Sequence, residues 1–354
     1  MKQIRRFFCL SLLAPLALYA GGASSTEKEP INTPYVVVGV SNFLFETTMQ
    51  VDPQQYGFPL AAEGLDEATF EKAQLLADHV PHLHRLSGSI FQALLAMKTA
   101  FSDKDPDYSL QLAGVAGSHT SFVKNWLEAT GIVWKGQQKE GKTGCCFTFV
   151  HNDASHFLVY PGVSCELDLE HLEGVLSQDN IQACFISGFL CKQNASFGRE
   201  NLLNVVVKKE LQDQTIFFLP DRSFMEKNDK SFFQSAMMRV GYVAGRVEDI
   251  AVLFSENRPL FEQLNPFASR HNTTFLLTEK GKGAYTVTPG KTYHHKPLKV
   301  PPSTKRIEPL MAAAAYTGAY QAGKLKGESI DQCGKRGLQA ALHTASSFKD
   351  VLYE

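Results

Sequence analysis

Residues Glu308 to Gly323 read EPLMAAAAYTGAYQAG, and the spacing within them predicts a helix. Pro309 suits the first helical position, where a missing N–H costs nothing, and the alanines from Ala312 to Ala315 have the best intrinsic helix propensity. Ala315, Gly318, Ala319 and Ala322 fall at i, i+3, i+4 and i+7, so one face carries only small residues. Such a face lets another element approach closely.

Downstream, Ile330 to Phe348 is a closing helix with small residues on one face. Upstream, Phe275 to Thr278 is a short strand, and Glu279-Lys280-Gly281-Lys282-Gly283-Ala284 is a hairpin turn rather than a phosphate loop, because the spacing G-x-x-x-x-G-K-[ST] is absent. His294 and His295, in the polar connection to Pro301-Pro302, are expected at the surface. Tyr35 to Val40 (YVVVGV), Ala183 to Gly188 (ACFISG), Thr215 to Leu219 (TIFFL) and Gly241 to Ala244 are short apolar runs, as buried parallel strands read. Helices are expected over Thr69–Val80, Ser121–Thr130 and Ser196–Leu211, and Pro220-Asp221-Arg222 as a loop. Thr143–Val150 and His156–Tyr160 flank His151-Asn152-Asp153 as the two arms of a hairpin. This alternation predicts an α/β fold with a doubly wound, mostly parallel sheet and ligands at the carboxyl ends of its strands.

The order and spacing of these segments, together with Ala312, Ala315, Tyr316 and Gly318, resemble the ribokinase-like (PfkB) carbohydrate and nucleoside kinases, in particular their adenosine-kinase branch. The resemblance covers roughly residues 34 to 348. It implies a single domain over 34–354 with a small β lid near 45–60 and 133–163, and transfer of phosphate from ATP, with Mg²⁺, to a sugar or nucleoside. The family signature D-T-x-G-A-G-D-A-F-x-G-G falls on Glu308 to Ala319. By that resemblance the glycines of an anion hole are replaced by Met311 and Ala313, and the catalytic base by Ala314. An alanine cannot take a proton.

Other positions follow the family more loosely. Gly39, Asn42 and Glu46 match G-x-x-N-x-x-x-D, whose Asp holds sugar hydroxyls, although Glu46 also reads as a solvated charge at a strand end. Gly88, Ser89 and Gln92 match a substrate-side Gly-Gly-Ser followed by Asn, with Ser87 at the first glycine. His82 and His84, next to them, read as surface or capping residues rather than a metal pair. In a loop where the family carries an acid this chain has Ser118, His119 and Thr120. Thr278, Gly281 and Gly283, with Gly318, fall at the nucleotide site, where Lys280 replaces one glycine. In N-x-x-E, which orders Mg²⁺, Asn has become Arg246 and only the acid of Asp249 remains. The resemblance therefore implies a kinase homologue with impaired or lost phosphotransfer, acting as a sugar- or nucleoside-binding module or through a protein partner. The alternative is an active small-molecule kinase with Glu308 or Asp249 standing in for the base.

Composition bounds the rest. With 44% hydrophobic and 20% charged residues the chain can build a core, and a net charge of −1 without single-sign runs points to neither nucleic acid nor an anionic surface. Residues 1–25 combine Lys2, Arg5 and Arg6 with an uncharged run from Phe7 to Ala20 and a small-residue end, as a secretory signal does; 26–33 is a polar linker. Export to the periplasm or outside is expected. An uncleaved anchor through residues 7–20, or a start placed upstream of a cytoplasmic protein, are the alternatives. The six cysteines beyond Cys9 form no C-x-x-C pair and are expected as buried thiols.

Overall fold

The structure is a computed structural model that describes residues 35–352, apart from 43, 60–61, 64, 102–107, 153, 192–197, 208–210 and 300–308. The signal-like segment, the linker and Glu308 lie outside the described residues. In chain order the strands are β1 (Tyr35–Val40), β2 (Leu44–Met49), β3 (Ala62–Glu63), β4 (His82–Ser87), β5 (Tyr108–Ala113), β6 (Val115–Ala116), β7 (Val133–Trp134) and β8 (Gln137–Gln138). They continue with β9 (Cys145–His151), β10 (Ala154–Tyr160), β11 (Ile181–Ser187), β12 (Thr215–Phe218), β13 (Tyr242–Arg246), β14 (Thr274–Glu279), β15 (Gly283–Thr288) and β16 (Lys291–His295). The helices are α1 (Glu67–Ala77), α2 (Ser89–Ala100), α3 (Thr120–Thr130), α4 (Leu169–Leu176), α5 (Arg199–Val206) and α6 (Arg222–Lys227). After them come α7 (Lys230–Met237), α8 (Val247–Ile250), α9 (Leu260–His271), α10 (Pro309–Leu325) and α11 (Ile330–Leu352).

Nine strands form the main sheet in the order β16-β15-β14-β13-β12-β11-β1-β5-β7, parallel from β14 to β7 and antiparallel through β15 and β16. β1 is the third strand from the β7 edge and is buried on both faces. Val36, Val38 and Val40 belong to the cluster with Leu172 of α4, Leu203 of α5 and Phe233 of α7. Val37 belongs to the opposite cluster with Ile90 and Leu94 of α2 and Tyr316 of α10. Burying such side chains contributes about 1.5–3 kcal/mol each, which is why a continuous apolar run settles here.

The small-residue face of α10 meets α2. A Cβ on Gly318 would lie 1.9 Å from the carbonyl oxygen of Ala93, so the two helices cross at this glycine with their backbones touching. Ala315 and Ala319 pack with Ala96 beside the crossing. Gly39 of β1 gives α2 a similarly close seat on the sheet, because a Cβ there would meet Ile90 Cγ2 at 2.5 Å.

A second sheet, in the order β3-β10-β9-β2-β4, forms the lid, with α1 packed on one face through Phe70, Ala73 and Ala77. The β9–β10 hairpin pairs from Cys145 with Tyr160 to His151 with Ala154. The lid departs from the expected 45–60 and 133–163. Residues 133–134 instead extend the main sheet beside β5, and 137–138 pair with β6. His82–Ser87 supplies a lid strand in their place, antiparallel to β2. Its two histidines and arginine hide the strand pattern, and cross-strand bonds make up for it: Arg85 to Glu46, and His84 Nδ1 with Thr47 Oγ1 at 2.9 Å.

Three further expectations are corrected. Arg222 opens α6 rather than lying in a loop, because Asp221 Oδ1 accepts from the Phe224 amide at 3.0 Å and caps it. Among the described residues only 199–206 of the expected 196–211 helix is α-helical. His295 is buried, not superficial; its Nε2 is 3.0 Å from Thr286 Oγ1, and its ring lies where a Cβ on Gly334 would be. His294, the next residue along β16, points the other way and is exposed.

Candidate functional site

The carboxyl ends of β1 and β11 meet the N-terminus of α2. Ser187 Oγ donates to Asn42 Oδ1 at 3.4 Å, and Ser41 Oγ donates to the Asn42 carbonyl at 3.1 Å. Gly88, the residue before α2, has φ +121° and faces both, since a Cβ on it would lie 3.6 Å from Ser41 Oγ and 3.8 Å from the Asn42 carbonyl. Ser89 is buried in the first turn of α2, and Gln92, half-buried, is one turn further. Asn42, Gly88 and Ser89 are thus brought together, with Ser41 and Ser187 beside them. Ser187 carried no sequence signal beyond its place at a strand end.

Glu46 is elsewhere and otherwise engaged. It sits in β2 of the lid, 3% exposed, which removes the solvated strand-end reading. Its Oε2 accepts from Arg85 Nε at 2.8 Å and Nη2 at 2.6 Å, and its Oε1 accepts from Thr148 Oγ1 at 2.7 Å and Thr48 Oγ1 at 3.4 Å. Arg85, on β4, lies directly opposite it. A carboxylate so committed has no lone pair directed at a sugar hydroxyl. On the other face of β2, Phe45 stacks on His119 with ring centroids 5.0 Å apart and leans on His84 at 5.1 Å. These rings line a cleft of about 510 Å³ against α1. Loss of solvation, with His82 and His119 adding to it, holds the His84 imidazole down at about 4, although the residue is exposed.

Asp249 lies in the first turn of α8 and is fully buried. Its Oδ2 accepts from Arg246 Nε at 2.5 Å, and its Oδ1 from Arg246 Nη2 at 2.7 Å and the Arg222 amide at 3.0 Å. Burial pushes the Asp249 carboxyl up from its ordinary range, and the Arg246 fork pulls it back. Mg²⁺ asks for about six oxygens in near-ideal octahedral geometry. The residues present do not fit it: the one acid at this position is consumed by a guanidinium, and among the described residues no three His, Cys, Asp or Glu gather as a metal site. The metal assignment of Asp249 is corrected to that of an anchor for Arg246.

The nucleotide-side residues also divide. Thr278, one residue before the end of β14, is in register with Arg246 and is half-buried. Gly281 and Gly283 have φ +75° and +98°, and a Cβ on Gly283 would lie 2.2 Å from the His295 carbonyl oxygen; the hairpin geometry accounts for both. Gly318 is spent on the α2 crossing rather than presented to a ligand. Within α10, Met311 is 8% exposed, Ala313 1% and Ala314 0%. Ala314 belongs to the core cluster with Phe218, Ala244 and Leu276, so the position expected for the base is packed against the sheet. Cys145 and Cys184 are buried thiols pushed up to about 12 by desolvation, which leaves them unreactive.

The chain has an α/β fold of the ribokinase-like kind, a mostly parallel sheet flanked by helices with a smaller β lid. The chain is similar in structure to adenosine kinase from Trypanosoma brucei brucei, with TM-score 0.73 and 14% identity over 89% of this chain and 100% of that one. Against Anopheles gambiae adenosine kinase the values are 0.70 and 18%, covering 87% and 98%. A probable sugar kinase from Rhizobium etli gives 0.69 and 17%, covering 91% and 100%. No family model and no curated protein matches the sequence.

Proposed function

We propose that this chain is a small-molecule-binding protein that keeps the cleft of a sugar or nucleoside kinase and has given up phosphotransfer. The observation that carries the proposal is Ala314: at the position that the resemblance gives to the catalytic base, a methyl group is fully buried in the core. Loss of a general base typically removes about 10²- to 10⁴-fold of rate. Asp249 offers no substitute, because its two oxygens are bonded to Arg246. What supports retained binding is the polar cluster of Ser41, Asn42, Gly88, Ser89 and Ser187, which accompanies a helix N-terminus at the end of the sheet where α/β proteins take ligands. Export directed by residues 1–25 belongs to the same proposal, since a protein that consumes no ATP loses nothing outside the cell.

A thermal-shift panel of nucleosides and sugars tests it. A nucleoside or sugar is expected to raise the melting temperature on its own, and Asn42→Ala to abolish that rise. A panel in which nothing raises the melting temperature would remove the binding half of the proposal.

A further inference from the structure

Glu248 and Asp249 open α8 at the end of β13, with Asp221 at the start of α6, and each already has a partner. Asp249 is held by Arg246 on both oxygens and by the Arg222 amide. Glu248 Oε1 lies 3.4 Å from Arg246 Nη1. Asp221 is the cap of α6. A divalent cation of the Mg²⁺ type needs several hard oxygens at once and sheds its water reluctantly. The most buried of these acids offers it none. The Arg246 side chain is 20% exposed and the Asp249 carboxylate behind it 0%, and the more exposed Glu248, at 48%, lies 3.4 Å from Arg246 Nη1, so an approaching cation finds no carboxylate here clear of the fixed positive charge. A guanidinium stays charged throughout the accessible pH range, so the barrier is permanent.

We infer that the carboxyl edge of β13 is closed to divalent cations by the chain's own arginine, so that the small molecule taken by the cleft is held without Mg²⁺. The inference deepens the proposed function and rests on it for the existence of a ligand, but it stands on the Arg246–Asp249 pair and not on α10. Arg246 supplies in covalent form the positive charge that a bound metal would bring.

Titration of the full chain with Mn²⁺, counted as free ion by electron paramagnetic resonance, tests it with no reference to product formation. Wild type and Asp249→Asn should bind Mn²⁺ equally poorly, while Arg246→Asn, which frees Asp249 and Glu248, should bind about tenfold tighter or more. Should Arg246→Asn fail to fold, Arg246→Gln keeps one donor for Asp249 and is read in the same way. Mn²⁺ binding by wild type that disappears in Asp249→Asn would overturn the inference, as would a folded Arg246 variant that binds no tighter than wild type. Either result leaves the buried Ala314, and the loss of phosphotransfer argued from it, to be judged separately.

Discussion

Glu46 and Asp249 are both buried acids gripped by an arginine, yet they are assembled in opposite ways. The arginine of Glu46 comes from a neighbouring strand 39 residues away, and its second partner, Thr148, from 102 residues away. The arginine of Asp249 comes from three residues earlier in the same turn. The lid pair therefore exists only when β2, β4 and β9 are already side by side, whereas the β13–α8 pair closes locally. In both places an acid that the kinase resemblance assigns to ligand or metal has become an internal fastening. The lid reaches that state through tertiary assembly and the main sheet through local sequence.

The largest effect should come from breaking the lid pair. Arg85→Ala leaves the Glu46 charge buried with two hydroxyl partners only, and a loss of about 3–5 kcal/mol is expected from urea unfolding. A loss below about 1 kcal/mol would mean that the pair is ornamental. Arg246→Ala should cost less, about 2–3 kcal/mol, because Asp249 keeps the Arg222 amide at a helix N-terminus. Equal costs for the two variants would erase the distinction drawn between them. Gly318→Ala touches neither pair and serves as a packing reference: its methyl would be driven into the Ala93 carbonyl, and overpacking of this kind costs about 1–3 kcal/mol.

The smallest effect is in pH. His84, beside the lid pair, titrates at about 4 in the folded chain against an ordinary 6.5. The folded state thus binds fewer protons than the unfolded state between those values. Its contribution is fully present above pH 6.5 and is lost as pH falls toward 4. Because the residue is exposed the loss should be on the order of 1 kcal/mol or less. His84→Gln should flatten that region of the stability profile, and an unchanged slope would place the acid sensitivity elsewhere.

Much of the fold was legible because it rests on local patterns. The small-residue face of α10 announced a close approach before its partner was known, and α2 is that partner. The apolar run of β1 announced burial on both faces, which its two clusters supply. What stayed hidden was what depends on distant strands meeting. Strand β4 carries His82, His84 and Arg85 where alternation would ask for apolar residues, and only the pairing with β2 makes it a strand. The burial of His295 depends on α11 arriving at Gly334. In the candidate site, Asn42, Gly88 and Ser89 were legible as residues that come together. The fates of Glu46 and Gly318 were not, since in each case the residue that claims the position comes from far away in sequence.

Whether the chain is a kinase scaffold without phosphotransfer is decided by a product assay on the wild-type protein. Nucleosides and sugars would be incubated with radiolabelled ATP and Mg²⁺, and any phosphorylated acceptor separated and counted. With Ala314 in the core and Asp249 tied to Arg246, no product above the protein-free control is expected. Turnover of any acceptor, retained through purification and lost in Asp249→Asn, would contradict this reading and show that this carboxylate leaves its arginine to act as a base.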